Sequence, residues 1–262
     1  MKQKTMILMA LVALAVLVGS CHWEVEKNSK GTKKEKVEKN YNDLLPFERI
    51  RIDVPCDIYY TQGDTTKVKI VASRDQLISK TDVTVWGIKH SKKVYLKDFI
   101  DKIDVTSDGR WLQISKKKRS NWKRKNWLSI YVTSPDLIEV DMRGVGSFKA
   151  EGDLDTDTLR LSMEGVGSIN IPSLICDRLQ AKVAGAGSIQ LSDVTAQETQ
   201  LSMNGVGSIK VENFQNSGSV HCTMEGVGSI KLGGEVQNFS NYVNGVGSID
   251  AKDLKIKELG EQ

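Results

Sequence analysis

The most chemically distinctive segment of the sequence runs from Lys116 to Trp127 and holds seven basic residues and no acidic one. Its basic and aromatic members are Lys116, Lys117, Lys118, Arg119, Trp122, Lys123, Arg124, Lys125 and Trp127. Lysine and arginine attract phosphate and sulfate groups, and indole rings stack on sugars or lie at lipid interfaces. The segment therefore predicts a site for an anionic glycan, lipopolysaccharide or membrane surface. The alternative is a solvated hairpin loop whose tryptophans pack against the domain.

The positive charge of the chain is concentrated in this segment. Over 262 residues, 37 lysines and arginines and 33 aspartates and glutamates give a formal net charge of +4 at pH 7. Removal of residues 1–20, predicted below, takes away two lysines and leaves +2, so the mature chain outside the seven basic residues has a net charge of −5. The near-neutral total excludes a protein that is strongly basic throughout, and we expect no nucleic-acid partner.

A serine follows each copy of a repeated Gly-x-Gly tripeptide. The six residues are Ser147, Ser168, Ser188, Ser208, Ser229 and Ser248. A nucleophile elbow has the order Gly-x-Ser-x-Gly, and no histidine recurs beside these serines to act as a base. A dinucleotide-binding loop needs a third glycine and a following helix, which the sequence also lacks. We therefore expect a ladder of serines that bonds corner backbone, with no catalytic residue among them.

Four acidic residues match the spacing of an EF-hand calcium loop: Asp153, Asp155, Asp157 and Glu164. Thr158 occupies the position where that loop needs glycine for its turn, and a strand-like apolar alternation continues through the same stretch. The three histidines have no ligand spacing among themselves. The sequence therefore predicts neither a metal site nor a cofactor.

Three cysteines lie beyond the leader: Cys56, Cys176 and Cys222. Buried thiols are the default expectation for them. One disulfide is the alternative in an oxidising compartment, and its connectivity cannot be deduced from the sequence.

The glycines reveal the element that must position these groups. Twelve of the 22 glycines form six copies of Gly-Val-Gly-Ser, with alanine replacing valine once, at intervals of 19 to 21 residues. The first glycines of the copies, predicted as structural corners, are Gly144, Gly165, Gly185, Gly205, Gly226 and Gly245. A fixed period near 20 residues is typical of a stacked architecture.

Apolar residues alternate with polar ones on both sides of each corner. They stand six, four and two positions before the first glycine and four and six positions after it in nearly every copy. This period-two pattern indicates two half-buried strands, and an apolar residue nine or ten positions after the glycine marks a weaker third side. Nearly identical corners favour a single-stranded parallel β-helix, an all-β solenoid whose like residues stack at about 4.8 Å. The alternative is an antiparallel β-meander or sandwich with hairpin turns at the glycines.

The first twenty residues predict export. Two lysines precede a 12-residue apolar run, Ile7 to Val18. This run is too short to span a bilayer, because a membrane-spanning helix needs about 20 apolar residues. Leu17-Val18-Gly19-Ser20-Cys21 resembles a bacterial lipobox, and this resemblance implies lipid attachment at Cys21. His22 at the next position implies sorting to the outer membrane, on its periplasmic side or the cell surface. The alternative is an ordinary cleaved signal.

Composition divides the rest of the chain. Residues 22–44 are rich in lysine and glutamate with few large apolar side chains, which is typical of a tether. The predicted segments are a signal peptide at 1–20, a flexible tether at 21–44 and a β-helix domain at 45–262. Within the domain we expect irregular early turns and a cap at 45–140, and six regular turns at 141–253. A C-terminal cap, for which a short helix is one form, follows at 254–262.

Several motifs resemble one known family in their order along the chain. They are Phe47-Glu48-Arg49-Ile50, Asp108-Gly109-Arg110-Trp111-Leu112-Gln113-Ile114, Ser134-Pro135-Asp136-Leu137 and the repeated Gly-x-Gly-Ser-Ile. Together with the lipobox they resemble the auto-transporter adhesin, head GIN domain family over about residues 46–250. The resemblance implies a right-handed β-helix on a secreted or lipid-anchored bacterial protein, and it implies no catalytic residues.

The resulting expectation is a non-enzymatic, lipid-anchored module of the cell envelope. Its partners would be the membrane, through the lipid, and an anionic glycan, lipopolysaccharide or envelope protein. The alternative is a carbohydrate-active enzyme that acts on an acidic polysaccharide, because β-helices also carry polysaccharide lyases. Such an enzyme needs clustered acids with lysine or arginine on one face, and the predicted outward column lacks an acid cluster. That column comprises Lys149, Asn170, Gln190, Lys210, Lys231 and Asp250.

Overall fold

The computed structural model describes residues 36–73, 82–85, 88–91, 100–118 and 127–257. The described chain is an all-β solenoid of about six turns with mostly parallel strand pairs, which confirms the predicted β-helix. The irregular N-terminal strands are β1 (Lys36–Tyr41), β2 (Arg49–Ile52), β3 (Cys56–Gln62), β4 (Lys67–Ser73), β5 (Asp82–Val85), β6 (Ile88–Ser91), β7 (Ile103–Ser107), β8 (Trp111–Lys116) and β9 (Ser129–Ser134). The strands of the regular turns are β10 (Glu139–Met142), β11 (Val145–Ala150), β12 (Asp153–Met163), β13 (Val166–Val183), β14 (Ala186–Met203), β15 (Val206–Met224), β16 (Val227–Val243) and β17 (Val246–Ile256).

Each regular turn places three sides around a shared core. The segment before the glycine corner forms the first face of the solenoid, the segment after it forms the second face, and the remainder forms the third side. Like residues pair from turn to turn, so that Gly167, Gly187 and Gly207 stand in parallel register. An antiparallel meander is excluded for these turns because β13 to β17 pair in parallel throughout.

The predicted apolar columns form the core. On the second face Ile169, Ile189, Ile209 and Ile230 are fully buried. The third side, weak in the sequence, also points a buried residue inward in most turns, for example Phe214. Burying one such side chain contributes about 1.5–3 kcal/mol, so the stacked columns are the main stabilising element.

The glycine corners are tight because successive turns approach each other backbone to backbone. A Cβ atom on Gly165 would overlap the carbonyl oxygen of Gly144, and one on Gly167 would overlap that of Gly146. Gly167 also has a φ of +151°, which disfavours other residues. Six near-identical corners are therefore a steric requirement of stacking.

The N-terminal turns do not stack in the order of the sequence. β2 pairs in parallel between β8 and β10, and β3 pairs in parallel between β9 and β11. The later strands β8 and β9 therefore form the outer turn. Beyond them, β7 pairs antiparallel with β8, β4 with β9, and β1 with β4. Antiparallel strands thus cover this end of the solenoid, and β5 and β6 form a separate two-stranded antiparallel sheet.

Two predicted boundaries are corrected. Residues 36–41 fall in the predicted tether but form β1, because Val37 and Tyr41 pack against the core while the strand pairs with β4. Residues 254–256 fall in the predicted C-terminal cap but continue β17, because Leu254 packs against the same core and Ile256 pairs with Val236. They are strand and not helix.

Candidate binding surface

The segment from Lys116 to Trp127 connects the first face to the second at the outer N-terminal turn. Lys116 ends β8, Lys117 and Lys118 follow it on the exposed surface, and Trp127 precedes β9. Because β8, β2 and β10 are neighbours and β9, β3 and β11 are neighbours, the end of β8 and the start of β9 stand in line with the glycine corner between β10 and β11. The remaining predicted members lie outside the described residues: Arg119, Trp122, Lys123, Arg124 and Lys125.

Trp127 anchors one side of this connection. Its Nε1 donates a hydrogen bond of 2.6 Å to Oδ2 of Asp57. The same carboxylate accepts bonds from the backbone nitrogen of Ser147, at 3.2 Å, and from its hydroxyl, at 2.5 Å. Trp127 is half-buried, so the structure gives it a positioning role at the edge of the segment. Sequence reasoning missed Asp57, which lies 70 residues from Trp127 and 90 from Ser147.

A second charged cluster lies on the first face at the N-terminal end of the solenoid. The guanidinium of Arg51 is 4.2 Å from the ring centroid of Trp111, and its Nε donates to Oδ2 of Asp141 at 2.8 Å. Arg143 donates to the same oxygen at 3.0 Å, and this bond raises the pKa of its guanidinium. Asp141 is only 4% exposed, so two arginines neutralise a buried carboxylate. The hydrogen bonds to Asp141 fix the positions of the two guanidinium groups at the N-terminal end.

An aromatic pair lies on the second face close to Trp127. Tyr59 and Tyr131 stack with ring centroids 5.1 Å apart, and Nζ of Lys69 lies 4.9 Å from the Tyr131 centroid. Partial burial, and then the charge of Asp57, raise the pKa of the Tyr59 phenol. The two tyrosines occupy paired positions on β3 and β9, which an alignment of early turns could have revealed.

Farther along, the first face is polar and shallow. Nε of Arg160 donates to Oε1 of Gln180 at 3.0 Å, and Gln180 donates onward to Gln200 at 3.5 Å. A groove of about 280 Å³ runs along these residues, and another of about 240 Å³ passes His221 and Ser240. Nδ1 of His221 lies 2.8 Å from the Ser240 hydroxyl oxygen. These side chains offer hydrogen bonds to a polar chain.

The groups considered for catalysis or metal binding are dispersed. The described residues hold no cluster of three or more histidine, cysteine or acidic side chains that would bind a metal ion. Asp153, Asp155 and Asp157 lie along strand β12, which leaves no EF-hand loop there. The six motif serines stand in one column at the corner, and Asp57 binds the first of them.

The three cysteines of the domain are buried and free. Burial raises the pKa of the Cys56 thiol, and it raises those of Cys176 and Cys222 to about 12. Protonated, buried thiols are poor nucleophiles. Cys21, the predicted lipid-attachment residue, lies outside the described residues. Among the residues that the structure describes, no helix is long and apolar enough to cross a membrane.

A family model matches most of the domain. The model described as "Putative auto-transporter adhesin, head GIN domain" matches residues 96–217 and again, with overlap, residues 189–260. The two matches together extend over more than half of the chain. The protein belongs to this family. Residues 46–95, which the sequence motifs also placed in the resemblance, lie outside both matches.

Several solved structures are similar to this chain. A structure described as a putative adhesin from Bacteroides fragilis is 25% identical, covers 83% of this chain and 97% of its own, and has a TM-score of 0.62. Two Parabacteroides distasonis structures are more distant. One, described as a putative adhesin, is 15% identical with a TM-score of 0.46 and covers 83% of this chain and 97% of its own. The other, described as a putative lipid binding protein, is 17% identical with a TM-score of 0.48 and covers 86% and 98%. No curated protein matches the chain.

Proposed function

We propose that the protein is a non-enzymatic adhesion module of the bacterial cell envelope, and that it binds an anionic glycan or lipopolysaccharide through the segment from Lys116 to Trp127. Membership of the head GIN domain family and similarity to the B. fragilis structure indicate an adhesion-like role at the envelope or surface. The specific ligand is our inference from the chemistry of the segment.

One observation carries the ligand assignment. Seven basic residues occur in one connection of a mature chain whose remainder is acidic, and Trp127 at its edge is fixed to the solenoid by Asp57. A cluster of cationic side chains next to a fixed support suits a polyanion, because the support limits the entropy lost on binding. The exposed edge of the Tyr59–Tyr131 pair and the polar first face offer further contacts to sugar hydroxyls.

The proposal includes a lipid anchor at Cys21. The support is the lipobox-like sequence that ends at this residue. Mass spectrometry of the N-terminal peptide from membrane fractions should find a diacylglyceryl-modified cysteine. Cys21→Ser should move the protein out of the membrane fraction. An unmodified N-terminus at another residue would show an ordinary cleaved signal instead.

The ligand assignment is tested by binding to purified lipopolysaccharide and to dextran sulfate in a salt series. Replacing Lys123, Arg124 and Lys125 with glutamine should weaken binding at least tenfold at 50 mM salt and flatten its salt dependence. The matched control replaces Lys210, Lys231 and Lys257 with glutamine, three lysines of the C-terminal turns away from the tyrosine pair and the first-face groove, and should change affinity by less than threefold.

Equal losses in the two variants would contradict a localised site. The same incubations are assayed for new reducing or unsaturated ends. Turnover of an acidic polysaccharide would replace adhesion with the enzymatic alternative, and binding without turnover supports the proposal.

A further inference from the structure

The two ends of the solenoid differ in whether further strands pair with the last turn. At the N-terminal end, β7, β4 and β1 add antiparallel strands beyond the outer parallel turn. At the other end, β17 pairs with β16 on one side, and no strand of the described chain pairs with its outer edge. An unpaired edge exposes a row of backbone donors and acceptors that favours pairing with another strand.

Core residues reach the surface at this C-terminal end. Ile249 and Leu254 are only half-buried, whereas Ile230 and Val236 of the turn before are fully buried. Ile256, which pairs with the fully buried Val236, is 56% exposed. A partner at this end would therefore cover inward-facing apolar side chains, as the next turn does inside the solenoid.

The first-face part of this end carries no charge. Residues 238–244 read Asn-Phe-Ser-Asn-Tyr-Val-Asn, and their outer side is unpaired within the described chain, since the β16–β17 register ends at Val236 and Ile256. Tyr242 and Val243 are exposed there. Charged residues are the usual protection of an edge strand, and this stretch lacks them.

The charges on β17 complement themselves when two copies run antiparallel. If Lys252 of one copy lies opposite Asp253 of the other, then Asp250 lies opposite Lys255 and Ile249 lies opposite Ile256. In this register outward charges face opposite charges, and inward apolar residues face each other. A two-fold axis repeats each pair, so four attractive charge pairs form.

We propose that two copies of the chain join end to end through this C-terminal end, with β17 of one copy antiparallel to β17 of the other. The chain enters the solenoid at β1, which is at the opposite end. A pair joined in this way carries its two N-terminal ends on opposite sides. A second copy on a facing surface is then a further partner of the adhesion module, besides the glycan. This extension rests on the proposed function, whereas the self-association itself does not.

The test is sedimentation velocity of the full chain in a mild detergent over about 1–100 µM. We expect reversible dimers in the wild type. Asp250→Lys and Lys255→Asp each place like charges opposite one another twice per dimer, and each should weaken dimerisation at least about tenfold. The double variant restores opposite charges and should recover wild-type affinity. Lys182→Asp, on an inner turn, is the matched control and should have no effect.

Three results would overturn the proposal: a monomer throughout the concentration range, dimers that both single reversals leave intact, or singles that weaken the dimer without rescue in the double variant. A further variant ends the chain after Lys257. If the full chain is monomeric and only this variant dimerises, residues 258–262 are what covers the end, and the proposal is wrong.

Glycan binding by the same variants separates this inference from the proposed ligand. The charge reversals on β17 should leave dextran sulfate binding unchanged, and the glutamine variant of Lys123, Arg124 and Lys125 should still dimerise. Beads that carry the chain by its N-terminus should cluster with wild type and disperse with Asp250→Lys. Clustering that depends only on added polyanion would contradict the second copy as the partner.

Discussion

The regular turns and the N-terminal turns both bury alternate apolar residues, but only the regular turns repeat the same residue types from turn to turn. In β13 to β17 each corner repeats Gly-x-Gly-Ser, and the inward columns repeat one type of residue. In β2, β3, β8 and β9 the inward alternation persists, with Ile50, Ile58 and Leu112 buried, while corners and outward residues vary. The variable turns carry the basic segment, the stacked tyrosines and Arg51, which binds the buried carboxylate of Asp141 on the first regular strand.

The difference teaches where function can change in a stacked fold. A residue in a regular turn contacts its equivalents above and below, so a substitution there must fit two neighbours. The outer N-terminal turn pairs on its far side with antiparallel strands, so no further parallel turn has to match its corner between Lys118 and Trp127. Repetition therefore supplies rigidity, and the departure from repetition carries the residues to which we assign binding.

The largest effect should come from a corner glycine. Gly167→Ala places a Cβ against the carbonyl oxygen of Gly146 and strains a φ of +151°, so we expect a loss of more than about 4 kcal/mol in unfolding free energy, or no folding. Gly152→Ala is the control. Gly152 has a φ of +88° but open space around it, so its replacement should cost only about 1–2 kcal/mol. Urea unfolding measures both, and equal losses would contradict the steric account of the corners.

A smaller effect separates an inner turn from the last one. Phe214 is fully buried on the third side, and Phe214→Ala should cost about 3–5 kcal/mol. Leu254 is half-buried at the C-terminal end, and Leu254→Ala should cost about 1–2 kcal/mol in the monomer at low concentration. If Leu254→Ala were as costly as Phe214→Ala, the last turn would be covered.

Much of the regular region could be predicted from sequence, because period-two alternation and a 20-residue repeat directly encode inward columns. The N-terminal turns kept the alternation but not their spatial order. Nothing in the spacing of β2 and β8 shows that the later strand lies outside the earlier one. For the same reason the bonds from Asp57 to Trp127 and Ser147 could not be foreseen, since they join residues that only this non-sequential stacking brings together.

The next effect lies in the N-terminal turns. Asp57→Ala leaves the Trp127 indole and the Ser147 hydroxyl without their acceptor and should cost about 1–3 kcal/mol. Asp57→Asn keeps one carbonyl oxygen and should lose less. Urea unfolding measures the loss of stability. A glycan-binding assay measures whether affinity falls when Trp127 is no longer held by Asp57. No change in stability or affinity would show that Asp57 does not position Trp127.

The smallest effect is a pH dependence of stability, which arises from buried thiols in both regions. Burial raises the pKa of the Cys222 thiol from 9.0 to about 12, so the unfolded chain ionises at lower pH than the folded one. Stability from this group is complete below pH 9 and falls by about 1.4 kcal/mol per pH unit between pH 9 and 12. Cys222→Ala should reduce that alkaline slope in urea titrations. A slope that the substitution leaves unchanged would contradict the buried, protonated thiol.

Hydrogen–deuterium exchange of the full chain, with and without dextran sulfate, tests the division between support and binding surface most directly. We predict that the polyanion slows exchange in peptides from about residue 100 to 135, which contain the basic segment and its flanking strands β8 and β9. Peptides from β14 and β15 should exchange at the same rate in both states. Protection confined to the regular turns would contradict the assignment of binding to the irregular ones.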